Sequence, residues 1–458
     1  MNIVICGAGE IGSHAAEVLN AHDRHITVVD LDAERLRRIE DDMDVGTCLG
    51  NAAQAEVLLR AGVGRADLVL AATDEDEVNL LCAAVAKRLG AAKTIARVHR
   101  GSFFHQRGLD YGGTLAIDKL ICPEFATAQA VARELRNPGA IAIERFGRGA
   151  IEMQEFVAGE GPGVGRPLMD VALPAGLRLT MVQPCSGDGA FVPGGRTVVQ
   201  PGDKVILVGN ARVFDHGRTI FRRESLPRRK VVIMGGPPMA VWLCRALHDR
   251  RFAIRLFEAD RTRAEELAEK LDWVTVINGD PTDRGVFDEE NLAQADVFIS
   301  LLDTDEANIV AAVLAKTRGV ERAFTVVQKA KFIDVALDIG IDRTFSTRRE
   351  AAREIESILR TEPVQIVGTI AEGAVDVYQM RVDPRSPVLG RRLRELPLSP
   401  DWIVAALARV DEVFVPGADD QVNQHDTLLV IGRHASDAHR KLQRIFDVEV
   451  PDPGEVPA

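Results

Sequence analysis

The chain has 458 residues, of which 46% are hydrophobic, 27% charged and only 5% aromatic, and roughly one domain per 150 residues suggests three or four domains. Its formal net charge of −12 argues against nucleic acid as the main partner, because phosphate backbones are bound by basic surfaces. No run of about 20 apolar residues occurs, so no bilayer-spanning helix is expected.

The N-terminus, Met1-Asn2-Ile3-Val4-Ile5, lacks a basic n-region and enters a strand pattern directly, so no secretory signal is expected. Apolar runs at Ile3–Cys6, Ile26–Val29, Leu68–Ala71 and Thr94–Val98 predict strands of a parallel sheet covered on both faces. Helical patterns such as Ser13–Asn20 and Glu77–Leu89 fall between them, which is βαβ alternation. Past Asn137-Pro138-Gly139 the pattern changes. Short β-branched stretches at Arg178–Val182, Thr197–Val199 and Lys204–Val208, separated by Gly, Pro and Asp, predict a small α+β module with an antiparallel sheet. A basic stretch (Arg222, Arg223, Arg228, Arg229, Lys230) then leads back into the first pattern.

From there the chain repeats itself in order and at nearly constant spacing. Asn2 to Gly12, NIVICGAGEIG, matches Lys230 to Ala240, KVVIMGGPPMA. His25 to Leu36 matches Ala253 to Ala264, which sets Asp30 opposite Glu258. Gly50-Asn51 matches Gly279-Asp280, and ADLVLAATDEDEVN (Ala66 to Asn79) matches ADVFISLLDTDEAN (Ala295 to Asn308). The modules in between also match: Gly165-Arg166-Pro167-Leu168 with Gly390-Arg391-Arg392-Leu393, and Val192 to Gly209 with Val415 to Gly432. The predicted class is α/β, with two tandem Rossmann-like doubly wound parallel-sheet domains, residues 1–140 and 229–361. Each is followed by a small α+β domain, residues 141–226 and 363–449, with boundaries near 137–139, before Lys230 and near Thr361-Glu362-Pro363. The Pro-rich tail, residues 450–458, is expected to be disordered. The six cysteines form no C-x-x-C pair and read as reduced core residues.

Gly7-Ala8-Gly9-Glu10-Ile11-Gly12 is a complete G-x-G-x-x-G that follows a strand and opens a helix, the context a dinucleotide site requires. Gly7 permits the tight turn, Gly9 lets backbone approach a pyrophosphate, and Gly12 allows close packing of helix on strand. The free N–H groups and the positive end of the helix dipole then face the phosphates. Asp30, eighteen positions past Gly12, is placed to accept from ribose hydroxyls, and it favours NAD(H) over NADP(H) by repelling a 2′-phosphate. It could otherwise serve only to cap the next helix. Thr73 and Asp74 follow a strand at the carboxyl edge, where they either meet ligand or cap the helix beyond. Arg97, late in the next strand, is either a bidentate phosphate donor or an ordinary ion-pair partner.

The second loop, Gly235-Gly236-Pro237-Pro238-Met239-Ala240, is not a copy. Pro237 stands where Gly9 stands, and two successive prolines remove donors and flexibility together. Ala240 replaces Gly12, and Val326 falls where Arg97 falls. Glu258 still offers a ribose carboxylate, and Asp303-Thr304 resemble the Thr73-Asp74 pair. A weakened, altered or empty second site is expected, or a domain kept only for packing. No H-E-x-x-H, G-x-S-x-G or P-loop occurs, and the ten histidines, His99 and His105 among them, form no catalytic constellation. Nucleotide binding without visible chemistry points to sensing.

In order, GAGEIG, VVD, AATDEDEVN and ARV, with the GRPL and PGDKVILVG elements, the chain resembles the regulator of K+ conductance (RCK) family. The resemblance covers essentially the whole chain, in the doubled form of the peripheral subunits of bacterial Trk potassium uptake. It implies a cytoplasmic, non-enzymatic regulatory assembly on the inner face of the membrane. This assembly would be a homotetrameric ring beside a TrkH-type potassium-translocating partner. It also implies NAD(H), and often ATP or ADP, in the Rossmann sites. By matching position, the implied ligands are Gly7, Ala8, Gly9, Glu10, Ile11, Gly12, Asp30, Thr73, Asp74 and Arg97. The Gly235–Met239 loop and Glu258 correspond in the second half. The helical patterns Pro123–Leu135 and Thr347–Leu359 would form part of the pairing surface, as crossover helices do in the family. Asn51, where many relatives carry Asp, departs from the pattern, as do Pro237 and Pro238. The alternatives are a soluble NAD-dependent dehydrogenase with a duplicated domain and a regulator of a potassium efflux antiporter.

Overall fold

A computed structural model describes residues 1–20, 24–104, 109–136, 151–186, 189–222, 228–248, 251–280, 282–329, 331–359, 364–370, 374–409, 412–435 and 437–446. The expected junctions at 137–139 and 361–363, the tail at 450–458 and His105 lie outside the described residues. The chain forms two compact units: residues 1–132 with 227–360, and residues 133–226 with 361–458.

The first unit opens with β1 (Asn2–Cys6), α1 (Glu10–Leu19), β2 (His25–Asp30), α2 (Ala33–Asp42), β3 (Gly46–Leu49), α3 (Ala55–Arg60) and β4 (Leu68–Ala71). It continues through α4 (Asp76–Arg88), β5 (Lys93–Arg97), the short α5 (Gly101–Phe104) and α6 (Tyr111–Thr114), β6 (Lys119–Ile121) and α7 (Pro123–Arg136). The six strands form one parallel sheet in the order β3-β2-β1-β4-β5-β6. All four residues of β4 are buried, as a strand with helices on both faces requires. The order reverses between β1 and β4, which opens a crevice at their carboxyl ends.

The second unit begins with β7 (Ile151–Val157), β8 (Leu177–Gln183), β9 (Lys204–Asn210) and α8 (Ala211–Phe221). The chain then returns to the first unit with β10 (Arg229–Met234), α9 (Pro238–Ala246), β11 (Phe252–Glu258), α10 (Arg261–Lys270), β12 (Thr275–Asn278) and α11 (Arg284–Glu289). Next come β13 (Val297–Ser300), α12 (Asp305–Thr317), β14 (Arg322–Val327), α13 (Lys331–Asp338), β15 (Arg343–Ser346) and α14 (Thr347–Leu359). Its sheet repeats the first, β12-β11-β10-β13-β14-β15. The last stretch, β16 (Val364–Ile370), β17 (Val375–Arg381), β18 (Trp402–Ala408), β19 (Val413–Phe414), β20 (Thr427–Arg433) and α15 (Ala438–Phe446), belongs to the second unit.

Within the first unit the two Rossmann halves interlock. Ala351 and Ile355 of α14 are buried in the same core as Ile11, Ala15 and Leu19 of α1. In the reciprocal position, Phe125 of α7 meets Trp242 of α9 edge to face, with centroids 5.7 Å apart. Within the second unit, two antiparallel sheets, β7-β9-β8 and β16-β17-β20-β18-β19, share one core. Met153, Met181 and Val208 pack there with Val377, Ala406 and Leu429. Arg178 ties the two sheets by donating from Nη1 to the Val404 carbonyl at 2.9 Å and from Nη2 to the Pro416 carbonyl.

Three local expectations change. Thr197–Val199 is not a strand, because among turns it forms only an isolated bridge, Pro167 with Val198. The first helix begins at Glu10 rather than Ser13, with Gly9 as its N-cap. Cys185 is an exposed free thiol rather than a core residue. Because the first core is completed by a helix from the other half, Ile355→Ala is expected to destabilise the chain by about 2–4 kcal/mol. Urea unfolding followed by circular dichroism checks it, and a cost below about 0.5 kcal/mol would contradict the interlocked core.

Candidate functional site

The loop after β1 and the loop after β4 face each other across the crevice. Gly7 has φ +110°, and a Cβ there would lie 2.7 Å from the Ala72 carbonyl oxygen. A Cβ on Gly12 would lie 1.8 Å from the Gly7 carbonyl oxygen, so helix and turn touch through bare backbone. Gly9 is different. A Cβ there would come no closer than 3.8 Å to Arg35 Nη1 and 3.9 Å to Asp74 Oδ1. The fold itself enforces the outer two glycines and leaves the middle one open, as a ligand-facing cradle would. Gly9 also caps α1 without any side-chain hydrogen bond, so the N–H groups of the first turn keep their donor capacity.

Asp30 sits at the end of β2 and buttresses this loop. Its Oδ2 accepts from the Ala8 N–H at 2.5 Å and its Oδ1 from the Asp32 N–H at 2.8 Å. The cap of α2 is Asp32, which accepts from the Glu34 and Arg35 N–H groups, so the helix-cap alternative for Asp30 falls. A carboxylate has about four acceptor positions, so two remain beyond these backbone donors. Ala8 and Ile11 are buried, and only their backbone atoms can meet a ligand. Glu10 is exposed on the first turn.

Thr73 is held by Asn79. Asn79 Oδ1 accepts from the Thr73 N–H at 2.8 Å and the Thr73 hydroxyl at 2.7 Å. Its Nδ2 donates to the carbonyls of Thr73 and Arg97 at 2.9 and 3.1 Å. Asp74 is exposed and does not cap α4, whose N-cap is Glu75. Arg97 is nearly buried. Its Nη2 donates to Glu124 Oε1 at 3.0 Å, while its Nε has no partner. Asp76, buried behind the loop, accepts from the backbone N–H of His99 and Arg100 at 2.8 and 2.9 Å and meets His99 Nδ1 at 2.9 Å. Burial pushes the Asp76 carboxyl up, but the His99 side chain and those two N–H groups outweigh it and hold it below the usual carboxylate range.

Asn51 accepts from the Ala53 N–H at 2.9 Å, just as Asp280 accepts from the Thr282 N–H at 2.8 Å. The Asn/Asp difference therefore leaves this turn intact. Sequence reasoning passed over Asn79, Asp76 and Arg35 as site-shaping residues. Asn79 and Asp76 were legible, since both lie in the repeated AATDEDEVN segment and both have counterparts: Asn308 bonds the N–H and carbonyl of Leu302, and Asp305 the N–H groups of Gln328 and Lys329. Arg35 carries no such signal, because only the fold brings it to Gly9.

The second loop keeps the first loop's shape. Pro237 has φ −62° and ψ 167°, against φ −71° and ψ −172° for Gly9, a conformation proline accepts without strain. Pro238 is the first residue of α9, where a missing N–H costs the helix nothing. Glu258 reproduces the buttress, accepting from the Gly236 and Asp260 N–H groups at 3.0 and 2.9 Å. Arg263 donates to the Gly236 carbonyl at 2.7 Å and lies 3.7 Å from Glu258. Thus the prolines remove two donors while the scaffold stays whole. Val326 is buried at the place of Arg97.

Gly12→Ala is expected to cost about 3 kcal/mol by overpacking, whereas Gly9→Ala costs no more than about 1 kcal/mol; thermal melts compare them, and equal losses would contradict the assignment. Asp76→Ala is expected to cost about 3 kcal/mol near neutral pH through its lost charge-assisted hydrogen bonds. Since the folded pKa is depressed, the wild-type advantage is present above the unfolded value of about 3.9 and fades as pH falls through the folded value. Denaturant titrations of both proteins between neutral and acid pH test the convergence.

Family models place this architecture. The TrkA-N domain model matches residues 3–123 and 231–347, and the TrkA-C domain model matches residues 377–443. The Trk system potassium uptake protein TrkA homolog of Archaeoglobus fulgidus is 32% identical over 447 residues, 97% of this chain and 100% of its own length. The solved GsuK channel bound to NAD shares the fold with a TM-score of 0.59 at 15% identity, covering 97% of this chain and 78% of that one. GsuK bound to ADP gives a TM-score of 0.51 at 12% identity, covering 78% and 69%. Among the described residues no helix is long and apolar enough to cross a membrane. With both Rossmann halves matched and one relative aligned along its whole length, the chain belongs to the TrkA family of Trk-system potassium uptake proteins.

Proposed function

We propose that the chain is the regulatory subunit of a potassium uptake system and that nucleotide bound in its first Rossmann half biases a TrkH-type membrane subunit. The observation that carries this reading is the contrast among the three glycines: two are demanded by the fold, and Gly9 is left open beside free helix N–H groups. The backbone of Gly9, Glu10 and Ile11 would hold phosphates, Asp30 the ribose hydroxyls, and Thr73 and Asp74 the opposite wall of the crevice. Arg97 would reach a phosphate only by loosening its bond to Glu124. NAD, bound in one GsuK structure, supports NAD(H) beside the acid at Asp30, and ADP, bound in another structure of the same relative, supports mononucleotide binding as well. The second half would serve as scaffold, with Glu258 buttressing its loop rather than binding a ribose.

Such a nucleotide acts through binding energy rather than chemistry. It shifts the equilibrium between two arrangements of the paired halves only by its differential affinity for them, about 1.4 kcal/mol for each tenfold preference. A homotetrameric ring on the cytoplasmic face of the membrane would multiply that bias over four first-half sites, as the family resemblance implies. Gly9→Pro imports the second loop's chemistry into a backbone that already accepts proline. It should leave the thermal midpoint near wild type and weaken NADH binding by about 10- to 100-fold, read by calorimetry. Potassium flux through the reconstituted membrane partner should depend on nucleotide with the wild-type chain and not with Gly9→Pro. Equal nucleotide-independent flux with both chains would refute the gating role.

A further inference from the structure

Arg348 belongs to the second half but ends beside the first glycine loop. It is the second residue of α14 and shares a helix face with Ala351, Ala352 and Ile355, three, four and seven residues on. All three are buried, Ala351 and Ile355 in the core with α1, so packing rather than a loop aims the arginine. Its Nη2 lies 2.6 Å from Glu10 Oε1, and its Nε is buried without a hydrogen-bond partner. Glu10 is the first residue of α1, inside the phosphate cradle. A carboxylate there opposes an incoming phosphate, while a guanidinium with five donors attracts one.

The two halves differ at this position. Counting on from the strand pairs Arg97 with Ile121 and Val326 with Phe345, Arg348 corresponds to Glu124. Glu124 is the acceptor for Arg97 of its own half. The second loop carries Pro238 where the first carries Glu10. The arginine that crosses between halves therefore meets the loop that kept its glycines, not the loop that lost its donors.

We propose that Arg348 is a phosphate ligand of the first site, supplied by the second half, and that Glu10 competes with the nucleotide for it. The proposal rests on the nucleotide reading above and adds which phosphate chemistry the site distinguishes. A terminal phosphate of a nucleoside di- or triphosphate carries more charge than the diester bridge of a dinucleotide. It draws the guanidinium off Glu10 more strongly. Since Arg348 is fixed on α14, that exchange couples phosphate charge to the seating of α14 on α1.

The test is calorimetric binding of ATP, ADP and NADH to the full-length chain, with thermal midpoints, for wild type, Arg348→Gln and Glu10→Gln. Arg348→Gln should weaken ATP binding about 10- to 100-fold and change NADH binding far less. Glu10→Gln should strengthen ATP binding, because it frees the same arginine. Both substitutions break the same ion pair. If the pair is only structural, both move the midpoint alike and leave ATP and NADH affinities in step, and the proposal fails. ATP binding that is equal in wild type and Arg348→Gln, with NADH still bound, refutes the arginine alone. A wild-type chain that binds none of the three nucleotides refutes the nucleotide reading as well. If Arg348→Gln does not fold, Arg348→Lys keeps the charge without the fork and should show a smaller loss with the same preference for ATP.

Discussion

The packing of α14 on α1 is the constraint on which the rest of this molecule depends. The apolar face of the first sheet is not covered by its own half alone, since Ala351 and Ile355 of the second half are buried in its core. Neither half closes its hydrophobic surface independently, so duplication and pairing are one requirement. The glycine loop sits at the edge of that shared core. The loop and the seam between the halves therefore share α1.

The same economy appears inside each half. A single acid at the end of the second strand, Asp30 or Glu258, holds the glycine loop by its backbone N–H and closes the next turn. A buried asparagine, Asn79 or Asn308, fixes the opposite loop, and a buried aspartate, Asp76 or Asp305, fixes the segment after the fifth strand. Buried carboxylate and amide groups are costly unless fully bonded. Once bonded, they make the carboxyl edge of the sheet rigid. This explains how the second half keeps its architecture after its loop has lost two donors. The scaffold interactions run through Glu258, Asn308 and Asp305, none of which depends on the N–H groups that the prolines lack.

The halves diverge most clearly in and around the glycine loop. Gly9 has become Pro237 with almost the same dihedral angles, and Arg97 has become Val326. Arg263 donates to the loop carbonyl in the second half, whereas Arg35 pairs with Asp32 in the first. The second residue of the helix after the sixth strand has changed sign, Glu124 of α7 against Arg348 of α14. Such a pattern makes an asymmetric pair, with the donors kept in the first loop and the arginine of α14 aimed at it.

The doubled Rossmann order, the antiparallel modules and the complete glycine motif were legible in the sequence, because they rest on local periodicity and on residue types with one conformational use. So was the loss of two donors from the second loop, since proline lacks an N–H wherever it stands. Tertiary structure decided what those residues do. Asp30 proved to be a loop buttress and not a helix cap, because the strand order sets it under Ala8. Arg97 was left paired with Glu124 by sheet register alone. Arg348 had no local signal, for it lies more than three hundred residues from Glu10 and on an ordinary amphipathic helix. Only the pairing of the two halves, a hydrophobic choice made far from either charge, brings them together.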